Sequence, residues 1–305
     1  MIEKLPDECL LEIFNNLQEG SLFSCLLVNR HCCIINVPLL WKTAGNYLSK
    51  RSLIETCLLS LNTEEQALIP SQVILPNHPK PSFEYTNFIT SISDRLNVGI
   101  VDWFNYYNRT VDYGVNVLRN AIRCSLITMS LRTSKNLIYL KTNGAIYEQI
   151  IKDLSRNNTI MIFELHNSNL NSKGTTILQD AIIQNTALTY LNLYNFTEST
   201  EDLCNSVADA LCGKALGNAL CKNVALTYLN LSENSIGSKG GKALAKAFYK
   251  NTTLNHLDIY YNYLGPEGGL ALGKALNGNT TLISLDFDGN DIGTKAEMYL
   301  QKFSV

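Results

Sequence analysis

Residues 226–236 read Leu226-Thr227-Tyr228-Leu229-Asn230-Leu231-Ser232-Glu233-Asn234-Ser235-Ile236, apolar at the first, fourth, sixth and last positions, with Asn at the ninth. The pattern returns 28 residues later as Leu254, Leu257, Ile259, Asn262 and Leu264, and again as Leu282, Leu285, Phe287, Asn290 and Ile292. Upstream, Leu188, Leu191 and Leu193 open another copy. Its spacing of 38 residues to Leu226 implies a ten-residue insertion between Phe196 and Lys214. Ile160, Phe163, Leu165 and Leu170 open the earliest clear copy, and Leu137 and Leu140 are spaced to begin a degenerate one before it.

Alternating apolar residues make a short strand with one face inward, and an Asn amide can satisfy backbone groups where the chain turns away. Between strands the inward positions recur at helical spacing, for example Ile177, Leu178, Ala181 and Ile182, or Ala243, Leu244, Ala247 and Phe248. Gly174, Gly240 and Gly268 precede these helices, and Asn185, Asn223, Asn251 and Asn279 follow them. A unit of this size cannot bury its apolar face alone, so the units must stack.

These residues resemble leucine-rich repeats of the ribonuclease-inhibitor type, over about residues 134–305, with five clear units. Ser168 and Phe196 stand where that pattern has Asn. The resemblance implies an α/β fold: a curved solenoid with parallel strands inside and helices outside. A 28-residue unit opened by Leu282 would run to 309, whereas the sequence given stops at Val305 without a polar capping unit, so either a longer product or an uncapped last unit is expected. Tyr299, Leu300 and Phe303 fit its inward helix positions, and its flank is expected to be exposed or covered by a partner.

The N-terminal stretch Leu5–Lys42 follows a different logic. Pro6 and Asp7 suit a helix start, with Leu10, Ile13, Phe14 and Leu17 following at helical spacing. Glu19-Gly20-Ser21 is expected to break that helix, with Ser21 capping a second that carries Leu22, Cys25 and Leu26. Apolar residues cover more than one face, and so many in so short a module argue for a partner. Leu5-Pro6, Ile13, Leu17, Leu22, Val28, Arg30, Pro38 and Leu40-Trp41 resemble an F-box position by position, with Cys32 where many F-boxes place Trp. That resemblance implies a three-helix module over residues 1–45, docking on a Skp-type adaptor and through it on a cullin. The candidate adaptor contacts it implies are Leu5, Pro6, Ile13, Phe14, Leu17, Leu22, Leu26 and Trp41, half of which could instead form the module's own core.

Residues 46–133 are expected to form a mainly helical spacer. Six of the seven prolines lie at or before residue 81, and Pro76, Pro79 and Pro81 mark an irregular, extended connection. Leu53–Leu61 and Val115–Ile122 read as helices, and Trp103, Phe104, Tyr106 and Tyr107 as packing between module and solenoid.

Composition narrows the function classes. Hydrophobic residues at 46% and charged residues at 17% describe an ordinary globular chain, and a net charge of −2 gives no global field for nucleic acid or an anionic membrane. The nine cysteines contain no Cys-x-x-Cys pair and no Cys/His cluster at zinc spacing, so no metal or cofactor is expected and the thiols read as reduced and mostly buried. The N-terminus carries acidic residues where a signal peptide has basic ones. Asn29, Arg30, His31 and Asn36 interrupt the longest apolar tract, so a cytoplasmic or nuclear location is expected.

Along the strands the outward positions are the second, third, fifth, seventh and eighth of the motif. They hold Tyr190, Tyr194, Tyr228, Tyr260 and Tyr261, where 15 tyrosines in 305 residues would place about one. They also hold Glu164, Glu233, Asp258, Asp286 and Asp288 but no Lys or Arg. Such a face suits a protein target with basic and apolar groups, through the candidate contacts Tyr190, Tyr194, Tyr228, Glu233, His256, Asp258, Tyr260, Tyr261, Asp286 and Asp288. The competing reading is that the tyrosines cover the sheet and the acids keep it soluble. His256 and Asp258 share a strand face without a nucleophile beside them, so intrinsic catalysis is not expected. The resemblances together imply a non-catalytic substrate receptor of a cullin-RING ubiquitin ligase. The alternative is a repeat scaffold or inhibitor acting outside ubiquitin transfer.

Overall fold

The computed structural model describes residues 5–108, 114–146, 148–168, 170, 172–195 and 207–303. The chain folds as two compact units, residues 1–139 and 140–305.

In the first unit, helices α1 (Asp7–Asn15), α2 (Glu19–Leu26) and α3 (Arg30–Lys42) form a small module. The Pro6 carbonyl accepts from the Cys9 and Leu10 amides to start α1, and the Asn29 side chain caps α3 by accepting from Cys32 at 2.7 Å. Leu10, Phe14, Leu22, Cys32 and Ile35 close a core, with Leu17, Cys25, Leu39 and Leu40 packed against it. Cys32 therefore fills an inward position. The expected break at Glu19-Gly20-Ser21 is instead the first turn of α2. Its acid has long-range partners: Thr43 and Tyr47 hydroxyls donate to the Glu19 carboxylate at 3.3 and 2.8 Å.

Beyond the module, α4 (Arg51–Leu59), α5 (Thr63–Ala67), the short strand β1 (Ser91–Ile92), α6 (Arg95–Tyr107) and α7 (Val115–Thr133) complete the unit. Trp103 and Phe104 on α6 are buried in it, while Tyr106 and Tyr107 are exposed. A polar pin holds α5 to α7. Glu65 is only 2% exposed. Its carboxylate accepts from Arg132 at 2.6 and 2.9 Å and closes a capping box with Asn62.

The second unit repeats strand and helix: β2 (Tyr139–Asn143), α8 (Glu148–Arg156), β3 (Ile162–His166), α9 (Ser172–Gln184), β4 (Tyr190–Asn192), α10 (Val207–Leu220), β5 (Tyr228–Asn230), α11 (Gly237–Phe248), β6 (His256–Asp258), α12 (Gly265–Asn277), β7 (Ser284–Asp286) and α13 (Thr294–Leu300). Strands β2 to β7 lie side by side in sequence order. Those from β3 onward pair in parallel, with the motif in register: Tyr190 opposite Tyr228, Tyr228 opposite His256, His256 opposite Ser284. The sheet is open and curved, as a solenoid requires. β2 turns the degenerate unit at Leu137 and Leu140 into a real strand, with both leucines fully buried.

Two ladders of Asn bind the units. Asn234, Asn262 and Asn290 each donate to carbonyls of their own turn and of the preceding strand: Asn234 to Leu193 at 2.7 Å, Asn262 to Leu231 at 2.8 Å and Asn290 to Ile259 at 2.7 Å. Ser168 does a reduced form of the same work through its hydroxyl on the Gly144 carbonyl, at 2.5 Å, while Phe196 and most of the expected insertion lie outside the described residues. After the helices, Asn185, Asn223, Asn251 and Asn279 form the second ladder. Their side-chain oxygens accept from Leu188, Leu226, Leu254 and Leu282 at 2.7–2.9 Å. Their amides donate back to the preceding repeat, Asn223 to Ile182 at 2.6 Å and Asn251 to Leu220 at 2.9 Å. Nearly every such amide is buried, so each ladder satisfies groups that water cannot reach.

At the end of the solenoid Leu300 and Phe303 are buried, whereas Tyr299, expected inward, is exposed. Among the described residues no helix is long and apolar enough to cross a membrane. No disulfide joins the described cysteines; Cys32, Cys57 and Cys124 are buried, Cys25 and Cys33 half-buried, and Cys9 and Cys221 exposed, so fewer of these thiols are buried than the expected majority. Burial pushes the Cys57 thiol up to about 12.

Candidate functional site

Two surfaces carry the candidate residues, one in each unit. On the module the eight expected adaptor contacts divide. Leu5, Pro6 and Ile13 are exposed. Phe14 and Leu22 are corrected to the module's own core, which they close with Leu10, Cys32 and Ile35. Leu17 packs against that core and Leu26 is half-buried. Trp41 stacks on Tyr85 at 4.7 Å and 20°, and so holds the one-turn helix Tyr85–Phe88. In their place the structure leaves Leu11, Phe23, Leu27, Val28 and Ile34 facing outward. Ile13 is 48% exposed, Phe23 61%, Leu27 78% and Val28 59%, values that a module with a closed core of its own does not need for folding.

On the solenoid the outward positions form columns across the strands. Tyr190 and Tyr228 stack at 4.1 Å and 8°, and His256 continues the column 6.0 Å from Tyr228. Burial, with the neighbouring Tyr228, holds the Tyr190 hydroxyl well above the usual tyrosine range. Beside it runs a polar column in which Asn192 pairs with Asn230, Asn230 with Asp258, and Asp258 with Asp286. Burial, and secondarily the facing Asp286, raise the Asp258 carboxyl, opposed by the Tyr260 amide that donates to it at 3.0 Å. Two like charges directly opposed destabilise a sheet, so their presence is not explained by folding.

The face is not uniformly acidic. β2 adds Lys141, whose ammonium lies 3.7 Å from Glu164, and His166 lies 3.2 Å from the same carboxylate. The five clear units carry no Lys or Arg at their outward positions, and the extra strand extends the face with one cation at this end. Negative charge is concentrated toward β5–β7, at Glu233, Asp258, Asp286 and Asp288.

The eighth motif position departs from strand geometry. Asn167, Asn195, Glu233 and Tyr261 have φ of 49, 46, 54 and 50°, and Gly289 has 71°. This left-handed turn swings Glu233 and Tyr261 off the strands to line, with Asn195, Ser235, Tyr260 and Tyr263, a hollow of about 350 Å³. Sequence reasoning missed Asn195, Ser235 and Tyr263; the tenth motif position, where Ser235 and Tyr263 correspond, carries the signal. Tyr190, Tyr194, Tyr228, His256, Asp258, Asp286 and Asp288 do not line this hollow, so the ten expected target contacts divide between the strand face and its edge. Among the described residues no group of three or more His, Cys, Asp or Glu side chains is placed to hold a metal.

Comparison with known proteins finds two family models that match parts of the chain. The F-box-like domain matches residues 2–45, and the leucine-rich repeat matches residues 222–245, 250–273 and 278–296. No curated protein matches the chain significantly. Among solved structures, the actin-binding site 2 of leiomodin-1 is similar at 23% identity, over 51% of this chain and 84% of that one, with a TM-score of 0.42.

Proposed function

From a chain that joins an F-box-like domain to leucine-rich repeats, we propose a substrate-receptor subunit of a cullin-RING ubiquitin ligase. The module docks on a Skp-type adaptor and the solenoid face holds a target protein. The observation that carries this reading is the outward apolar set Ile13, Phe23, Leu27 and Val28 on a module whose core is already closed by Leu10, Phe14, Leu22, Cys32 and Ile35. Burying an aliphatic or aromatic side chain is worth roughly 1.5–3 kcal/mol before association costs, so a few such groups suffice to anchor a partner.

The chain's contribution to ubiquitin transfer is then proximity. It raises the effective concentration of the target near the transfer enzyme while other subunits do the chemistry. The acids gathered toward β7 and the tyrosine column favour a target with basic and apolar groups. The reading predicts a cytoplasmic or nuclear site of action, where the other ligase subunits work.

Co-expression with a Skp-type adaptor and a cullin N-terminal segment, followed by size-exclusion chromatography, tests the proposal. One ternary peak is expected. Separate elution of a folded chain would leave a repeat scaffold working outside ubiquitin transfer.

A further inference from the structure

The hollow at the edge of the strand face is built from three tyrosines and one carboxylate: Tyr260, Tyr261, Tyr263 and Glu233, closed by Asn195 and Ser235. The backbone there does not ask for these residues. At φ of 50 and 54°, Tyr261 and Tyr263 occupy the left-handed region, which glycine and asparagine adopt readily and bulky side chains rarely do. At the position of Tyr261 the same turn is made by Asn167, Asn195 and Glu233 in earlier repeats and by Gly289 in the last, and at the position of Tyr263 by Asp291 in the last. A tyrosine held in that conformation is kept for its ring.

The rings are arranged as walls. Tyr260 and Tyr261 have centroids 4.6 Å apart at 59°, so they present two inclined faces. The Glu233 carboxylate lies close enough to the Tyr194 hydroxyl to raise it above the usual tyrosine range, which places its charge on this side of the hollow. The negative field is also local: the Tyr260 hydroxyl is raised first by desolvation and then by Tyr261, Glu233, Asp286 and Asp288.

We propose that this hollow seats the guanidinium of an arginine side chain presented by the target protein. The Glu233 carboxylate accepts its N–H groups, and the tyrosine faces supply cation–π contact. Arginine fits better than lysine because its planar, weakly hydrated group stacks on rings and offers a fork of donors to one carboxylate. This deepens the reading of the solenoid face as a target-binding surface and rests on it.

The test titrates the full chain, carrying carbon-13 labelled tyrosine, with N-acetyl-arginine amide and with its neutral isostere N-acetyl-citrulline amide, followed by NMR of the tyrosine rings. Arginine amide should shift the rings of Tyr260, Tyr261 and Tyr263, with an affinity about tenfold above that of citrulline amide. Glu233→Gln and Tyr261→Gly should each remove about that factor; glycine keeps the left-handed turn, so the second variant loses the ring without losing the fold. Equal shifts from both amides would overturn the proposal, as would tighter binding of N-acetyl-trimethyl-lysine amide, which would make the hollow a methylammonium cage. Adaptor co-elution, measured on the same protein, separates the two hypotheses. Arginine binding without adaptor binding sinks the ligase reading alone, and adaptor binding without arginine discrimination sinks only the hollow's assignment.

Discussion

Tyr190 on β4 lies directly opposite Tyr228 on β5, and their rings stack nearly parallel at 4.1 Å. The contact spans 38 residues of sequence and lies where the repeat period is broken, so it ties the strands on either side of the insertion. Stacked aromatic pairs are worth about 0.5–1.5 kcal/mol beyond their area burial. A double-mutant cycle with Tyr190→Leu and Tyr228→Leu, read by urea unfolding, should give a coupling of about 1 kcal/mol. The pair also predicts an alkaline limit. Because the Tyr190 hydroxyl is raised in the folded chain above the ordinary tyrosine value of 10.0, the unfolded chain releases that proton first. Its stabilising contribution is complete below pH 10.0 and declines above it. Tyr190→Phe should flatten the loss of stability above that pH.

Asp258 titrates with the opposite consequence at neutral pH. Its carboxyl is raised above 3.8 in the fold, chiefly by burial, so it favours the folded state only while protonated. That contribution is complete below pH 3.8 and is lost as pH rises through the folded value. Asp258→Asn, which still accepts from the Tyr260 amide, should therefore be more stable than the parent at pH 7. The gain should vanish in acid. Thermal unfolding at both pH values reads it, and equal stability at pH 7 would remove the claim that this acid is retained against the interest of folding.

Glu65 and Arg132 are unequal partners. Glu65 is 2% exposed and the Arg132 side chain 46%. Arg132→Ala strands a buried carboxylate and should cost about 3 kcal/mol. Glu65→Gln leaves a guanidinium that water can reach and should cost about 1 kcal/mol, since exposed charges lose little when a partner goes. Chemical denaturation of the two variants should preserve that order.

Helix α12 meets the last turn of the solenoid closely enough that a Cβ on Gly269 would overlap Ile292. Gly269→Ala should destabilise by about 1–3 kcal/mol, although alanine is the better helix former, because overpacking outweighs propensity here. Gly278→Ala meets only ordinary contact at 4.0 Å and provides the matched control.

The repeats were readable because each strand writes its inward side at the same spacing, and an Asn must stand where the turn leaves carbonyls unmet. The second ladder, Asn185 to Asn279, was visible as a pattern, but its role was not. Those side chains bridge the residues two and three further along and a helix in the preceding repeat, a partnership across 31 or 41 positions for Asn251 and Asn223. The module was recognisable from its motif, yet Phe14 and Leu22 were placed with Ile13, since apolar residues on several faces of short helices do not say which face wins. The spacer resisted for a different reason: Glu65 and Arg132, 67 residues apart, hold it together. The hollow escaped notice because the left-handed turns at Glu233, Tyr261 and Tyr263 carry those side chains out of the strand alternation.

Calorimetric titration of the purified full chain with a purified Skp-type adaptor tests the central claim most directly, with Leu27→Asp and Val28→Asp as variants. Both positions are outside the module's core, so circular dichroism should show the fold unchanged. The account predicts one-to-one binding by the parent chain and a loss of at least about a hundredfold in the double variant, from two buried apolar contacts replaced by unpaired charge. A folded parent chain that gives no heat with the adaptor, or a double variant that binds as the parent does, would contradict it.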